Sequence, residues 1–124
     1  MPSELQPLGE LKMHLIRTAA TPAQIAEMLE TCGHYIKLAV DIERVIVVGG
    51  GAMHADCEAA LLNDGSRPAD VWGADWFPEI QHIEFESFIN IKPANVNPAR
   101  FIMNETIRLR VEQVIRALLE TSDE

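Results

Sequence analysis

Between Gly49 and Glu58 the sequence GGGAMHADCE crowds three glycines, an imidazole, a thiol and two carboxylates together. If His54 begins a helix, it shares a face with Cys57 and Glu58, while Asp56 points elsewhere. His54 and Glu58 would then supply two corners of a metal site, short of the roughly three protein ligands that a catalytic zinc needs. Glu84, Glu86 or Asp75 would have to complete it. Gly49, Gly50 and Gly51 would let backbone N–H groups approach an anion at the helix N-terminus. The run matches neither G-x-x-x-x-G-K-[ST] nor G-x-G-x-x-G, and Asp56 and Glu58 would repel a phosphate. A structural account carries more weight: the glycines make a sharp turn, the acids suit a helix start, and Cys57 is a small core residue. No metal site or cofactor is therefore assigned.

Two other groups could do chemistry. Glu84 and Glu86 lie two apart on an alternating stretch, so their carboxylates would be neighbours, suited to acid–base work or to magnesium. An exposed strand face with alternating acids is the more common cause, and it also discourages edge-to-edge aggregation. Trp72 and Trp76 could stack a base or sugar ring, but with only 6% aromatics in the chain, burial as core or interface anchors is the preferred role. No GxSxG, HExxH, kinase or deaminase signature is present.

The elements that must position these groups follow from periodicity. Leu11 to Arg17 alternates and predicts a strand. Thr21, Pro22 and Gln24 form a T-x-x-Q capping box, and Ile25, Met28, Leu29 and Cys32 give the buried stripe of a helix that Gly33 can end. Tyr35 to Glu43 predicts a strand with Ile36, Leu38, Val40 and Ile42 inward and Tyr35, Lys37, Asp41 and Glu43 outward. Val45 to Val48 returns as its hairpin partner. Met53, Cys57, Ala60 and Leu61 have helical spacing up to the stop at Asn63-Asp64-Gly65. Val71 to Phe77 and His82 to Ile91 predict two more strands, the second with Ile83, Phe85, Ile89 and Ile91 on one face. Phe88 falls on the polar face of that strand, where a large apolar group often marks a contact. The last helix starts at Pro98 or at Asn104, with the stripe Ile107, Val111, Val114, Ile115 and Leu118.

The expected fold is α+β: a single domain over residues 11–120, a mainly antiparallel sheet in the order β-α-β-β-α-β-β-α, with the helices packed on one face. An irregular arm over residues 1–10 and an acidic tail over residues 121–124 flank it. With 48% hydrophobic and 23% charged residues the composition is that of a soluble globular protein. No apolar run approaches the roughly 20 residues of a membrane span, and no export leader is expected. The net charge of −9 argues against nucleic acid. Lys92 to Leu118 nonetheless holds five bases against two acids. Cys32 and Cys57 form no CxxC pair and are expected as reduced thiols in the cytoplasm.

The segments IKLAVDIER, GGGAMHADCE, LLNDGS, WGADW and IEFESFINI followed by KP resemble an uncharacterised small bacterial family, common in cyanobacteria and catalogued only as a domain of unknown function. The resemblance spans Leu11 to Leu118 and brings no activity with it. The expectation is a protein-binding or accessory module acting as a homo-oligomer. The competing expectation is a metal-assisted hydrolase or phosphate-handling enzyme that uses His54, Asp56, Glu58 and Glu84.

Overall fold

The computed structural model describes residues 12–93 and 95–120. The proposed arm over residues 1–10 and the tail over residues 121–124 lie outside them. Five strands, β1 (His14–Ile16), β2 (Ile36–Asp41), β3 (Ile46–Gly49), β4 (Val71–Phe77) and β5 (His82–Glu84), form one sheet in the spatial order β1-β3-β2-β4-β5. Every pairing is antiparallel. Three helices complete an α+β domain: α1 (Pro22–Leu29), α2 (His54–Asn63) and α3 (Glu105–Leu119). Among the described residues no helix is long and apolar enough to cross a membrane.

The local signals for α1 are fulfilled. The Gln24 N–H donates to Thr21 Oγ1 at 3.1 Å, the Thr21 N–H donates to Gln24 Oε1 at 2.9 Å, and Pro22 opens the helix. Ile25 and Met28 are buried, and Gly33 takes φ +92° just past the helix end. For α3 the start is Asn104, whose Oδ1 accepts from the Ile107 N–H at 3.0 Å. Its stripe Val111, Val114, Ile115 and Leu118 is buried, and Glu112 pairs with Arg116 at 2.9 Å on the wetter side.

The helices do not share one face of the sheet. Ile36, Leu38 and Val40 of β2, with Trp72, Ala74 and Trp76 of β4, pack with residues of α1 and α3. Ala39, Ile46, Val48 and Val71 pack on the opposite face with Cys57 and Leu61 of α2. The expectation of one covered face is corrected here. Because β3 is apolar on both sides and β2 adds Ala39 to the second, that face too must be removed from water, and α2 covers it. Asp41 also departs from its expected outward position: it is fully buried, and its Oδ1 accepts from the N–H groups of Glu43 and Arg44, each at 2.9 Å. That carboxylate shapes the β2–β3 turn, in which Val45 sits at φ +58°.

The strand expected from His82 to Ile91 ends at Glu84. Beyond it, residues around Glu86 pair with those around Phe101, and Ser87 caps a 3-10 turn over Phe88–Asn90. The alternation misleads because the chain leaves the sheet there and crosses to its other face. Phe85 belongs to the α1/α3 core, whereas Ile89 packs on the α2 side.

The crossing rests on Gly73 and Asn90. A Cβ at Gly73 would lie 2.6 Å from the Ser87 Cβ, so only glycine admits the loop this close. The Gly73 N–H donates to Asn90 Oδ1 at 2.7 Å, and Asn90 Nδ2 donates back to the Gly73 carbonyl at 3.1 Å. The same amide reaches the Arg100 carbonyl at 2.9 Å. Asn97, also buried, donates to the carbonyls of Asn90, Ala99 and Phe101 and accepts from the Met103 N–H. Two buried amides, each with satisfied partners, thus fix the loop's shape.

Candidate functional site: the His54–Asp75 cleft

Strand register places three ionisable side chains in one row on the α2 face. Lys37 of β2 is opposite Asp75 of β4, and Asp75 is opposite Glu84 of β5. Above this row α2 begins. Its cap is Met53, whose N–H donates to Asp56 Oδ2 at 3.2 Å, and its first residue is His54. That start carries the imidazole over the row, where His54 Nε2 lies 2.7 Å from Asp75 Oδ1. Both side chains are more than four-fifths buried. An ionised Asp75 can only accept the hydrogen bond, which favours the tautomer with the proton on Nε2 and the lone pair on Nδ1.

A cleft of about 480 Å³ opens beside this pair. His54 and the Lys37–Asp75–Glu84 row line one side, with Phe77 at its end; Glu86, Ser87, Phe88 and Arg100 line the other. Its volume falls within the range of small-molecule sites. Lys37 Nζ donates to the Ala52 carbonyl at 2.9 Å. Arg100 pairs with Glu86 at 3.1 Å and lies 5.0 Å from the Phe88 ring centroid. Phe77 stacks on Tyr35 with centroids 5.2 Å apart. Burial, the nearby Cys32 and the Asp75 charge raise the Tyr35 pKa above its ordinary value.

The residues singled out in the sequence divide between this cleft and the interior. His54 and Glu84 meet in the cleft, together with Glu86 and Asp75. Asp56 is exposed and serves the helix start, and neither it nor Glu58 lines the cleft. Gly49, Gly50 and Gly51 are buried. A Cβ on Gly49 would meet Leu38, Ile36 and Met28; on Gly50, the Lys12 carbonyl at 2.3 Å; on Gly51, Met13 and Cys57. The Gly50 N–H already donates to the Lys37 carbonyl and its carbonyl accepts from Thr31 Oγ1. These glycines permit close packing and offer no open anion cradle. Trp72 and Trp76 are buried, at 2% and 0% exposure, which removes them as a ligand platform. Lys92 and Arg116 lie over their respective rings.

Cys57 lies fully buried beneath α2, with Sγ 3.5 Å from the Lys37 carbonyl, and burial pushes its thiol up to about 12. Such a thiol is no nucleophile near neutral pH. Among the described residues no three His, Cys, Asp or Glu side chains are grouped to hold a metal ion. The arrangement can accept hydrogen bonds at His54, Asp75 and Glu84. The loop-building role of Asn90 lay outside the expectations, and Asp75, expected only as a further ligand beside His54 and Glu58, pairs with His54 itself. The signal for Asn90 was an amide between two isoleucines.

No curated protein and no solved structure matches the chain. Residues 14–118, most of its length and all the elements described above except the last residue of α3, match the model of the family described as "Protein of unknown function (DUF5674)", and the chain belongs to that family.

Proposed function

We propose that the chain is a protein-binding module that self-associates, with the loop over residues 88–103 as its contact surface. One observation carries the reading: a loop fixed by two buried amides presents large apolar side chains outward. Phe88 is 71% exposed, and Ile91, Val96, Phe101 and Met103 are each at least half exposed. Asn90 and Asn97, which hold the loop, are almost completely buried. A loop ordered before contact loses little entropy on binding, and aromatic groups beside an arginine are favoured anchors. Exposed apolar groups gathered in this way mark contact surfaces more often than isolated ones do.

Charge favours a second copy as the occupant. The stretch Lys92 to Leu118 holds five bases against two acids, whereas the rest of the chain holds five bases against seventeen acids. Each copy therefore offers both signs, and the base-rich region of one complements the acidic remainder of another. The free thiols Cys32 and Cys57 support a reducing compartment, the cytoplasm, as its place of action. Size-exclusion chromatography with light scattering tests the self-association. A dimer or larger species that dissociates with Phe101→Ser/Met103→Ser is expected; a monomer at the highest soluble concentration overturns the reading.

A second reading, acid–base chemistry, draws support from the meeting of His54, Asp75 and Glu84 in one cleft. Its metal-assisted form would have to work without Asp56 and Glu58. Thermal melts with zinc, manganese and magnesium test that form, and an unmoved Tm with all three removes it.

A further inference from the structure

The cleft is lined by three carboxylates, Asp75, Glu84 and Glu86, and by two permanent cations, Lys37 and Arg100, an excess of one negative charge. Each cation has one N–H engaged, Lys37 with the Ala52 carbonyl and Arg100 with Glu86. Its acceptors retain capacity. Asp75 accepts from His54 through Oδ1, which leaves Oδ2. Glu84 accepts from His82 through Oε2, which leaves Oε1. His54 Nδ1 has no partner among the described residues and is not one of the buried unpartnered atoms, so solvent reaches it. A bound cation therefore finds free acceptors here.

The walls and the surrounding field also favour a cation. Phe77 and Phe88 give the cleft aromatic sides, and Phe88 keeps most of its surface open although Arg100 lies over its ring. An aromatic face beside a carboxylate suits an ammonium or guanidinium group. The chain's net charge of −9 raises the local concentration of cations around it. We propose that the His54–Asp75 cleft is a binding site for a small organic cation, whose ammonium or guanidinium donates to His54 Nδ1 and the Glu84 carboxylate while its hydrocarbon part lies along Phe88. Asp75 is the positioning residue: it holds the imidazole so that Nδ1 is the acceptor.

The test is an NMR titration of the full chain with agmatine and with putrescine, read at the His54 ring and at the backbone amides of β4 and β5. Saturable shifts centred on His54, Asp75 and Glu84 are expected. Glu84→Gln, which removes one charged acceptor, weakens the affinity by about tenfold. Glu79→Gln removes the same charge outside the cleft and changes the affinity by less than about twofold. Asp75→Asn lowers affinity and changes the His54 ring tautomer signature, a readout that simple loss of charge does not move. The proposal is overturned by the absence of saturable shifts with either cation. It is also overturned by equal weakening in Glu84→Gln and Glu79→Gln, which assigns the effect to the general acidic field, or by binding of an arginine-containing peptide with none of the free cations.

Discussion

On one face of the sheet, α1 and α3 press Met28, Val111, Ile115 and Leu118 around Trp72 and Trp76, and apolar volume fills the space. On the other face β2 and β4 set the small or charged residues Ala39, Gly73, Lys37 and Asp75 beside a smaller apolar cluster, beneath one helix and a loop. The first face is held by burial, each filled Val, Leu or Ile contributing about 1.5–3 kcal/mol. The second adds to its smaller apolar cluster the hydrogen bonds that Asn90 and Asn97 make and Asp41 accepts, and over β4 and β5 it stays open as the cleft. Volume filling gives stability without an opening, whereas hydrogen-bonded covering tolerates a concavity where polar groups can meet a ligand.

The strongest way to break this contrast is on the filled face. Trp76→Ala is expected to cost about 3–5 kcal/mol in urea unfolding, the range for emptying a packed aromatic site. The loss is moderated because the Trp76 Nε1–H finds no acceptor among the described residues, and its removal leaves no partner bereft. A cost below about 1 kcal/mol would show that this core is loosely filled.

Asn90→Ala probes the hydrogen-bonded face. It leaves the Gly73 N–H and carbonyl unsatisfied, for an expected loss of about 2–3 kcal/mol. Amide hydrogen exchange should quicken at Gly73 and around residues 85–103 while α1 and α3 keep their protection. Uniform loss of protection would mean that the two faces are a single cooperative unit.

Smaller effects sharpen the comparison where the faces join. Val45, a β-branched residue at φ +58°, is strained in the turn between β2 and β3. Val45→Asn is expected to raise stability by about 1 kcal/mol in the same unfolding measurement.

Asp64, beyond the end of α2, accepts from Arg17 at 2.7 and 2.8 Å and from Arg44 at 2.7 Å, fastening the helix to the β1 and hairpin ends. Hydrogen bonds from Arg17 and then Arg44 hold its carboxyl below the usual aspartate range. A native pKa below the unfolded one means that the contribution is complete above the ordinary aspartate value and is lost as pH falls through the lowered one. Stability measured across that acid window should fall less steeply in Asp64→Asn than in the parent chain, and equal slopes would sink this assignment.

What was legible in the sequence was local. The Thr21–Gln24 box, Gly33 and the α3 stripe depend on neighbours within a few residues, and each took the expected place. The placement of α2 was hidden because a strand apolar on both sides has no period that names a preferred face. The alternation from His82 to Ile91 continued past the point where the chain leaves the sheet, since the cause of departure, the Asn90 amide against Gly73, is distant in sequence. In the cleft, His54 and Glu84 stood out by residue type, but their meeting depends on the register that sets Asp75 opposite Glu84. Asp41 looked like an outward residue because its turn hydrogen bonds are invisible to a count of alternating positions.

The Asn90 carboxamide has one more consequence. β5 runs beside only Asp75 to Phe77, so the first half of β4, paired with β2 on its inner side, has no strand on its outer side. There the amide offers Gly73 the donor and acceptor that a neighbouring strand would have supplied. A single side chain thus closes a site where a foreign β-segment could add itself to the sheet. Loss of that plug would expose the Gly73 edge and is expected to raise the tendency to fibrous aggregation.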